Sequence, residues 1–191
     1  MKLIYKGTYT SEADLPVREH PEGYVAFREM GDMKKLAIFL NTLSIPLLVL
    51  TILGVVLRGL PYIRECDFQI AIGAILPMLC LLPHELIHAV CFRGEVELWT
   101  NFKMGMLFVV GTEDMTKARF VVMSLLPNLL FGLLPYVLFL LRPQWVLLGV
   151  FGAISIPMGI GDYYNVYNCL TQVPKGGLVY LSGMHSYWYP A

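Results

Sequence analysis

The feature that most constrains this chain is a series of long runs that are almost free of charged side chains. Residues 36–57 contain no Asp, Glu, Lys or Arg, and about 20 such residues let a helix cross the 30 Å hydrocarbon core of a bilayer. Three further apolar runs cover residues 68–92, 118–141 and 145–170. Because helices satisfy their own backbone hydrogen bonds in lipid, the four runs predict an all-α membrane protein with four transmembrane helices.

The composition agrees with lipid as the solvent for much of the chain. Hydrophobic residues make up 57% and charged residues 15%, whereas a soluble domain carries about 25% charged residues. The 14 basic and 14 acidic residues give a formal net charge of +0, so nucleic acid is not an expected partner. The four cysteines form no Cys-x-x-Cys pair. We interpret them as packing residues, with a disulfide as the alternative.

The polar segments define the predicted domain boundaries. Residues 1–32 mix charges with turn formers and predict a small cytoplasmic N-terminal cap. Residues 33–172 form the predicted membrane-embedded domain, and residues 173–191 form a cytoplasmic tail. Between the second and third spans, weak alternation predicts a β-hairpin of residues 95–100 with residues 104–110.

Lysine and arginine residues near the span ends predict the orientation of the protein. One side holds Arg28, Lys34, Lys35, Arg93, Lys103, Lys117, Arg119 and Lys175, and the other holds Arg58, Arg64 and Arg142. Both termini are therefore expected in the cytoplasm, with the lipid bilayer of the cell membrane as a partner. No short apolar stretch near Met1 ends in a small-residue cleavage site, so we expect the first span to act as the insertion signal.

The second apolar run contains the sequence HELIH, in which His84, Glu85 and His88 form an H-E-x-x-H pattern. Histidines four residues apart lie on one face of a helix, where both can bind one Zn²⁺ at about 2.0–2.1 Å. Glu85 can then accept a proton from a water whose pKa the metal has lowered. Chance is the alternative, but ionisable residues cost about 2.5–3.5 kcal/mol each at the centre of a spanning helix. We therefore predict a zinc site with Glu85 as general base.

Asp162 is the predicted third zinc ligand. A catalytic zinc usually has three protein ligands and one open position. Asp67 and His84 are separated by as many residues as Trp145 and Asp162, which puts both candidate ligands about 26 Å into parallel helices. The alternative role for Asp162 is a helix N-cap or an interfacial carboxylate.

Other residues in the spans have predicted roles near this site. Pro83 precedes His84 and predicts a kink that opens a water pocket, with an ordinary kink as the alternative. Asn128 in the third span is a candidate for binding a substrate carbonyl or an oxyanion, with an interhelical hydrogen bond as the alternative. Gly159 and Gly161 allow close approach of a helix or a substrate, or serve helix packing alone.

With these motifs the chain resembles the "putative zincin peptidase" family of small bacterial multi-pass membrane proteins. It is also similar, more distantly, to the site-2 class of intramembrane metalloproteases. The residues that carry the likeness are HELIH at 84–88, Pro127-Asn128 and Gly161-Asp162.

The resemblance to the site-2 class implies a role for each residue of the site. It implies that His84, His88 and Asp162 hold zinc and that Glu85 activates water. The chain departs from the site-2 pattern in the two motifs that follow HELIH. Site-2 enzymes have Asn-x-x-Pro and Leu-Asp-Gly, where this chain has Pro127-Asn128 and Gly161-Asp162-Tyr163.

The sequence thus predicts a membrane-embedded zinc metalloprotease that cleaves a membrane protein or peptide near the cytoplasmic leaflet. The alternative is a non-proteolytic zinc-binding membrane scaffold, sensor or folding factor. Glu85 favours the protease, because a structural zinc site needs no general base beside its ligands. A metal-ion transporter would need polar groups along a path through the membrane, and the outer half of the predicted bundle offers almost none.

Overall fold

The computed structural model describes residues 1–102 and 105–191. Lys103, used above for orientation, and Met104, predicted to begin a strand, lie outside the described residues. The first long helix, α1, covers Met33–Ile63. Its N-cap is Asp32, whose carboxylate accepts the backbone N–H groups of Lys34 and Lys35 and so satisfies two donors that a helix start leaves without partners.

The other helices follow the predicted apolar runs but are shorter. They are α2 (Asp67–Leu79), α3 (Leu81–Val90), α4 (Lys117–Asn128), α5 (Leu134–Leu141), α6 (Val146–Met158) and α7 (Ile160–Gln172). A π-helical segment, Leu129–Leu133, connects α4 to α5 after Pro127. Proline removes a backbone donor inside the helix, and a wider turn is one way to accommodate the loss.

Two helical segments are long and apolar enough to cross a membrane, Lys34–Ile63 and Lys117–Leu141. The number within the described residues rises to four if α2 with α3, and α6 with α7, each count as one bent span. The second and fourth predicted spans are therefore broken helices. Their breaks lie at Cys80 and Gly159.

The prediction of an all-α fold is confirmed only in part, because most of the chain is helical but the polar segments form two small sheets. One has strand order β1-β3-β4, with β1 (Lys2–Thr8) parallel to β3 (Glu95–Asn101) and β3 antiparallel to β4 (Met106–Val110). The other has order β2-β7-β6-β5, built from β2 (Val25–Ala26), β5 (Met115–Thr116), β6 (Leu178–Ser182) and β7 (His185–Tyr189). The predicted hairpin is confirmed as β3 and β4.

The chain divides into two compact units. Unit 1 consists of Met1–Glu29, Glu85–Ser124 and Tyr164–Ala191. Its core contains Phe27, Phe92, Val96, Phe120 and Val179. Residues from both polar ends of the chain thus bury side chains in one core. The predicted membrane boundaries of the cap (1–32) and the tail (173–191) stay predictions.

Unit 2 consists of Met30–His84 and Leu125–Tyr163. Its core includes Val55, Phe139 and Val150. A Cβ at Gly73 would lie 2.7 Å from the carbonyl oxygen of Leu147, so the small residue lets α2 and α6 approach closely. Glycine at such contacts is typical of helices that pack in lipid.

Candidate metal centre

Helix α3 carries the H-E-x-x-H pattern and begins directly after a break. Helices α2 and α3 are bent by 46° at Cys80. Pro83 lies in the first turn of α3, where its missing N–H is tolerated, but its ring would clash with the Leu79 carbonyl in a straight helix. From His84 onward the helical pattern is regular, since the N–H of His84 donates to the carbonyl of Cys80, four residues earlier, at 2.8 Å. The predicted kink is therefore confirmed, and the water pocket that it would open stays a prediction.

The side chains of His84, Glu85 and His88 converge on one side of α3. The ligand atoms of the three residues all lie within 4.8 Å of one another. No other group of three or more His, Cys, Asp or Glu residues has this property in the part of the chain that the structure describes. His88 is buried, with 6% of its surface exposed, and the other two are half-buried. The helical spacing therefore produces the expected cluster of potential ligands.

A backbone carbonyl determines which nitrogen of His88 carries the hydrogen. Nδ1 lies 2.8 Å from the carbonyl oxygen of Met123 on α4. A carbonyl can only accept, so Nδ1 donates, and the lone pair of the neutral ring is on Nε2. Metal-binding histidines commonly donate their other ring N–H to a carbonyl in this way. The donor set of α3 therefore suits a zinc ion bound through Nε2 of His88.

Asp162 contacts His84. Its Oδ2 lies 3.2 Å from Nε2 of His84, and the two side chains are 17% and 23% exposed. The structure thus brings together the two residues for which the sequence predicts equal depth. Asp162 lies in the first turn of α7, but it is the third residue of that helix and not its N-cap.

Asn128 contacts the same carboxylate. Its Nδ2 donates to Oδ2 of Asp162 at 2.6 Å, and the residue is 4% exposed. A Cβ at Gly159 would overlap Oδ1 of Asn128, so this glycine makes room for the amide. The interhelical hydrogen bond considered as the alternative for Asn128 is therefore observed. Its role in binding a substrate carbonyl or an oxyanion stays a prediction.

Glu85 contacts the hairpin. Its Oε2 accepts the backbone N–H of Val109 on β4 at 3.2 Å. Val109 is opposite Leu98 of β3 in the antiparallel register, and its N–H points away from β3. Glu85 is thus oriented by the outer side of β4.

Comparison with protein families identifies the group to which these features belong. A model of the family described as "putative zincin peptidase" matches residues 76–178, more than half of the chain. The chain belongs to this family. The matched segment includes α3, the β3–β4 hairpin and α4 to α7, and thus every candidate site residue. No curated protein and no solved structure matches the chain.

The family's description, "putative zincin peptidase", implies a zinc-dependent peptidase. The residues of α3 fit that metal, since two imidazoles and carboxylates are ordinary zinc ligands. The family description agrees with the function predicted from HELIH. It names no substrate.

Glu113, between the hairpin and α4, has structural contacts outside the H-E-x-x-H cluster. Glu113 accepts the backbone N–H groups of Arg93 and Gly94 and pairs with Arg119, which also donates to the Cys91 carbonyl. Burial would raise the pKa of Glu113, but these hydrogen bonds and the Arg119 charge outweigh it and hold the pKa below its usual value. Glu113 thus connects the end of α3 to α4.

Asp114 and the remaining histidines also have partners outside α3. Asp114 pairs with Arg18 at 2.9 Å. His20 Nδ1 lies 2.8 Å from the Tyr180 hydroxyl, and His185 Nδ1 lies 3.5 Å from Glu29. His20 and His185 thus have contacts of their own, apart from the cluster that contains His84 and His88.

Sequence reasoning missed the two backbone groups that orient the site. They are the Met123 carbonyl, which accepts from His88, and the Val109 N–H, which donates to Glu85. Both lie on elements next to α3 in space and not in sequence. Only the register of β4 and the position of α4 could have indicated them, and side-chain patterns do not specify either.

Proposed function

We propose that this chain is a membrane-embedded zinc metalloprotease that hydrolyses peptide bonds near the cytoplasmic leaflet. The observation that carries the proposal is the convergence of His84, Glu85 and His88 within 4.8 Å on α3. Two further observations support it. The chain belongs to the zincin peptidase family, and two to four of its helical segments are long and apolar enough to span a membrane.

The proposed ligands are His84, His88 and Asp162. Two ligands about 2.0–2.1 Å from a tetrahedral zinc are separated by about 3.3 Å. Nε2 of His84 and Oδ2 of Asp162 are 3.2 Å apart, which supports Asp162 as a ligand beside His84. Asn128 would then hold the Asp162 carboxylate in place, as outer hydrogen bonds do in other metal sites. Bound zinc would supply a Lewis acid that polarises the substrate carbonyl and lowers the pKa of water.

Glu85 is the proposed general base. Its carboxylate accepts a proton from the attacking water as the new C–O bond forms at the peptide carbonyl carbon. It then gives this proton to the amide nitrogen, which leaves as an amine when the C–N bond breaks. The Val109 N–H, 3.2 Å from Oε2, restricts the orientation of the carboxylate during both transfers.

The outer side of β4 is the proposed binding place for the substrate backbone. Within the described residues β4 pairs only with β3. Because N–H groups alternate sides along an antiparallel strand, the Leu107 N–H points to the same side as the Val109 N–H that Glu85 accepts. An extended peptide could add to this edge as a further strand, and its backbone would then pass beside Glu85.

The rival function is a non-proteolytic zinc-binding scaffold, sensor or folding factor. Glu85→Gln distinguishes the two functions, because it removes the base and leaves the proposed ligands. Zinc per chain should be equal in wild type and Glu85→Gln and lower in His88→Ala. Newly formed protein N-termini should be detectable by mass spectrometry in cells with wild type and fall about 10²–10⁴-fold with Glu85→Gln. Equal cleavage products in both strains would contradict the proposal.

A further inference from the structure

A groove of about 590 Å³ opens between the start of α4 and the turn after α7. It lies within unit 1, and none of its lining residues is a candidate ligand or base of the metal centre. Its size is in the range of small-molecule sites, about 300–1,000 Å³. The groove therefore has room for a ligand separate from the proposed chemistry.

One end of the groove is basic. Lys117 donates its ammonium group to the carbonyl oxygens of Leu170 and Val173 at 3.0 and 2.6 Å, which leaves a further N–H for a ligand. Lys175 lines the same groove and is exposed. Among its lining residues in the described part of the chain there is no Asp or Glu. This end is thus suited to an anion.

The wall of the groove is apolar. It is formed largely by Val121, Val122 and Leu170, and Val122 and Leu170 are 56% and 55% exposed. Val121 lies about one helical turn along α4 from Lys117. Helix α4 belongs to a segment that is apolar enough to cross a membrane, and α7 does too if α6 and α7 count as one bent span. The wall therefore continues the lipid-facing surface expected of such helices.

We propose that this groove binds an anionic phospholipid. The phosphate would lie between Lys117 and Lys175, and an acyl chain would cover Val121, Val122 and Leu170. An acidic peptide could satisfy the lysines but would leave the wall without an apolar partner. Basic pockets beside spanning helices are known to select acidic lipid headgroups. Through this site the lipid composition of the membrane would affect the stability of unit 1.

The test measures lipid binding to the full chain. Wild type, Lys175→Gln and Lys35→Gln are purified in detergent and placed in nanodiscs of phosphatidylcholine with or without phosphatidylglycerol. Lys35 is an exposed lysine at the start of α1, so its variant controls for loss of one positive charge. Thermal unfolding and native mass spectrometry of retained lipid are recorded, with inorganic phosphate in detergent as a separate arm.

We expect phosphatidylglycerol to raise the unfolding temperature and to be retained by wild type and Lys35→Gln. Lys175→Gln should bind it about fivefold more weakly, the effect of one basic residue near an anionic surface. Equal retention by all three proteins would overturn the proposal. Equal stabilisation by phosphatidylcholine, or by inorganic phosphate without lipid, would also overturn it, because neither result requires both the basic end and the apolar wall of the groove.

Discussion

The side-chain amide of Asn128 donates a 2.6 Å hydrogen bond to Oδ2 of Asp162. The same oxygen lies 3.2 Å from Nε2 of His84. One carboxylate thus connects the third and fourth apolar runs to the helix that carries the H-E-x-x-H pattern. The position of Asp162 depends on Asn128, and Asn128 in turn depends on the space beside Gly159.

Gly159→Ala should weaken zinc binding although Gly159 is not a ligand. The added Cβ would overlap Asn128 and move its amide away from Asp162. We expect about tenfold lower zinc affinity and a loss of stability of roughly 1–3 kcal/mol from overpacking. Gly161→Ala is the matched control, because no atom lies within 4 Å of its added Cβ. Chelator competition and thermal unfolding check both changes, and equal zinc affinities of the two variants would contradict the role of Asn128.

Asp162→Ala should lower zinc affinity more than Gly159→Ala does. It removes one of the three proposed ligands, so the loss should exceed the roughly 10–100-fold typical of outer hydrogen-bond partners. The protein should still fold, since the change removes a charge from a spanning segment. Zinc content is measured beside the detergent-solubilised yield, with Asn165→Ala on the same helix as control. Stoichiometric zinc in well-folded Asp162→Ala would remove this residue from the site.

Leu107→Pro should reduce proteolysis without unfolding the hairpin. The Leu107 N–H points to the outer side of β4, so proline there removes a donor that β3 does not use and is tolerated on an edge strand. Loss of one hydrogen bond to the substrate backbone corresponds to about fivefold lower kcat/KM. Leu107→Ala keeps the N–H and is the control. If both variants cleave equally well, the substrate does not bind along this edge.

Acid should remove the stabilising effect of Glu113. Its folded-state pKa is held below the ordinary value of 4.5. A carboxyl with a lowered pKa stabilises the fold above the unfolded-state pKa and loses this effect as pH falls through the folded-state pKa. The unfolding temperatures of wild type and Glu113→Gln should therefore differ at neutral pH, and the difference should shrink as the pH falls from about 4.5 through the lower folded-state pKa. A difference that is independent of pH would show that the Glu113 charge does not contribute.

The orientation predicted from lysine and arginine can be tested directly. Reporters fused to both termini should be cytoplasmic, because the basic residues gather on that side of the predicted spans. A reporter placed after Arg142, between α5 and α6, should lie on the opposite side. Two measurements report the side of each fusion: the activity of the reporter, and its protection from protease added to spheroplasts. A terminus outside the cytoplasm would overturn the topology and place the metal centre near the other leaflet.

The sequence predicts the parts of this protein that depend on local pattern. The charge-free run that forms α1, the hairpin of β3 and β4 and the cluster on α3 all follow from spacing within one segment. The proximity of Asp162 to His84 also follows from comparing depth in two helices, which needs only the count of residues in each. Pro83 predicts the break at Cys80, whereas the break at Gly159 is less visible, since glycine is tolerated in continuous spanning helices.

Apart from hairpins such as β3–β4, the strand pairings could not be predicted, because the paired strands are distant in sequence. Lys2 is opposite Glu95, and Val25 is opposite Trp188. Short polar strands carry a weak pattern, and nothing in a single strand specifies which distant strand it joins. The same limit applies to the Met123 carbonyl, whose contact with His88 requires the placement of α4.

The parallel pairing of β1 with β3 has a consequence for biogenesis. The ribosome makes β1 first, but β3 follows only after α1, α2 and α3 have been synthesised. At about 5–20 residues per second, β1 waits roughly 5–20 s for its partner. During this interval its backbone is open to pairing with other chains. Strand β1 can therefore complete its pairing only after the residues that follow the H-E-x-x-H helix have been made.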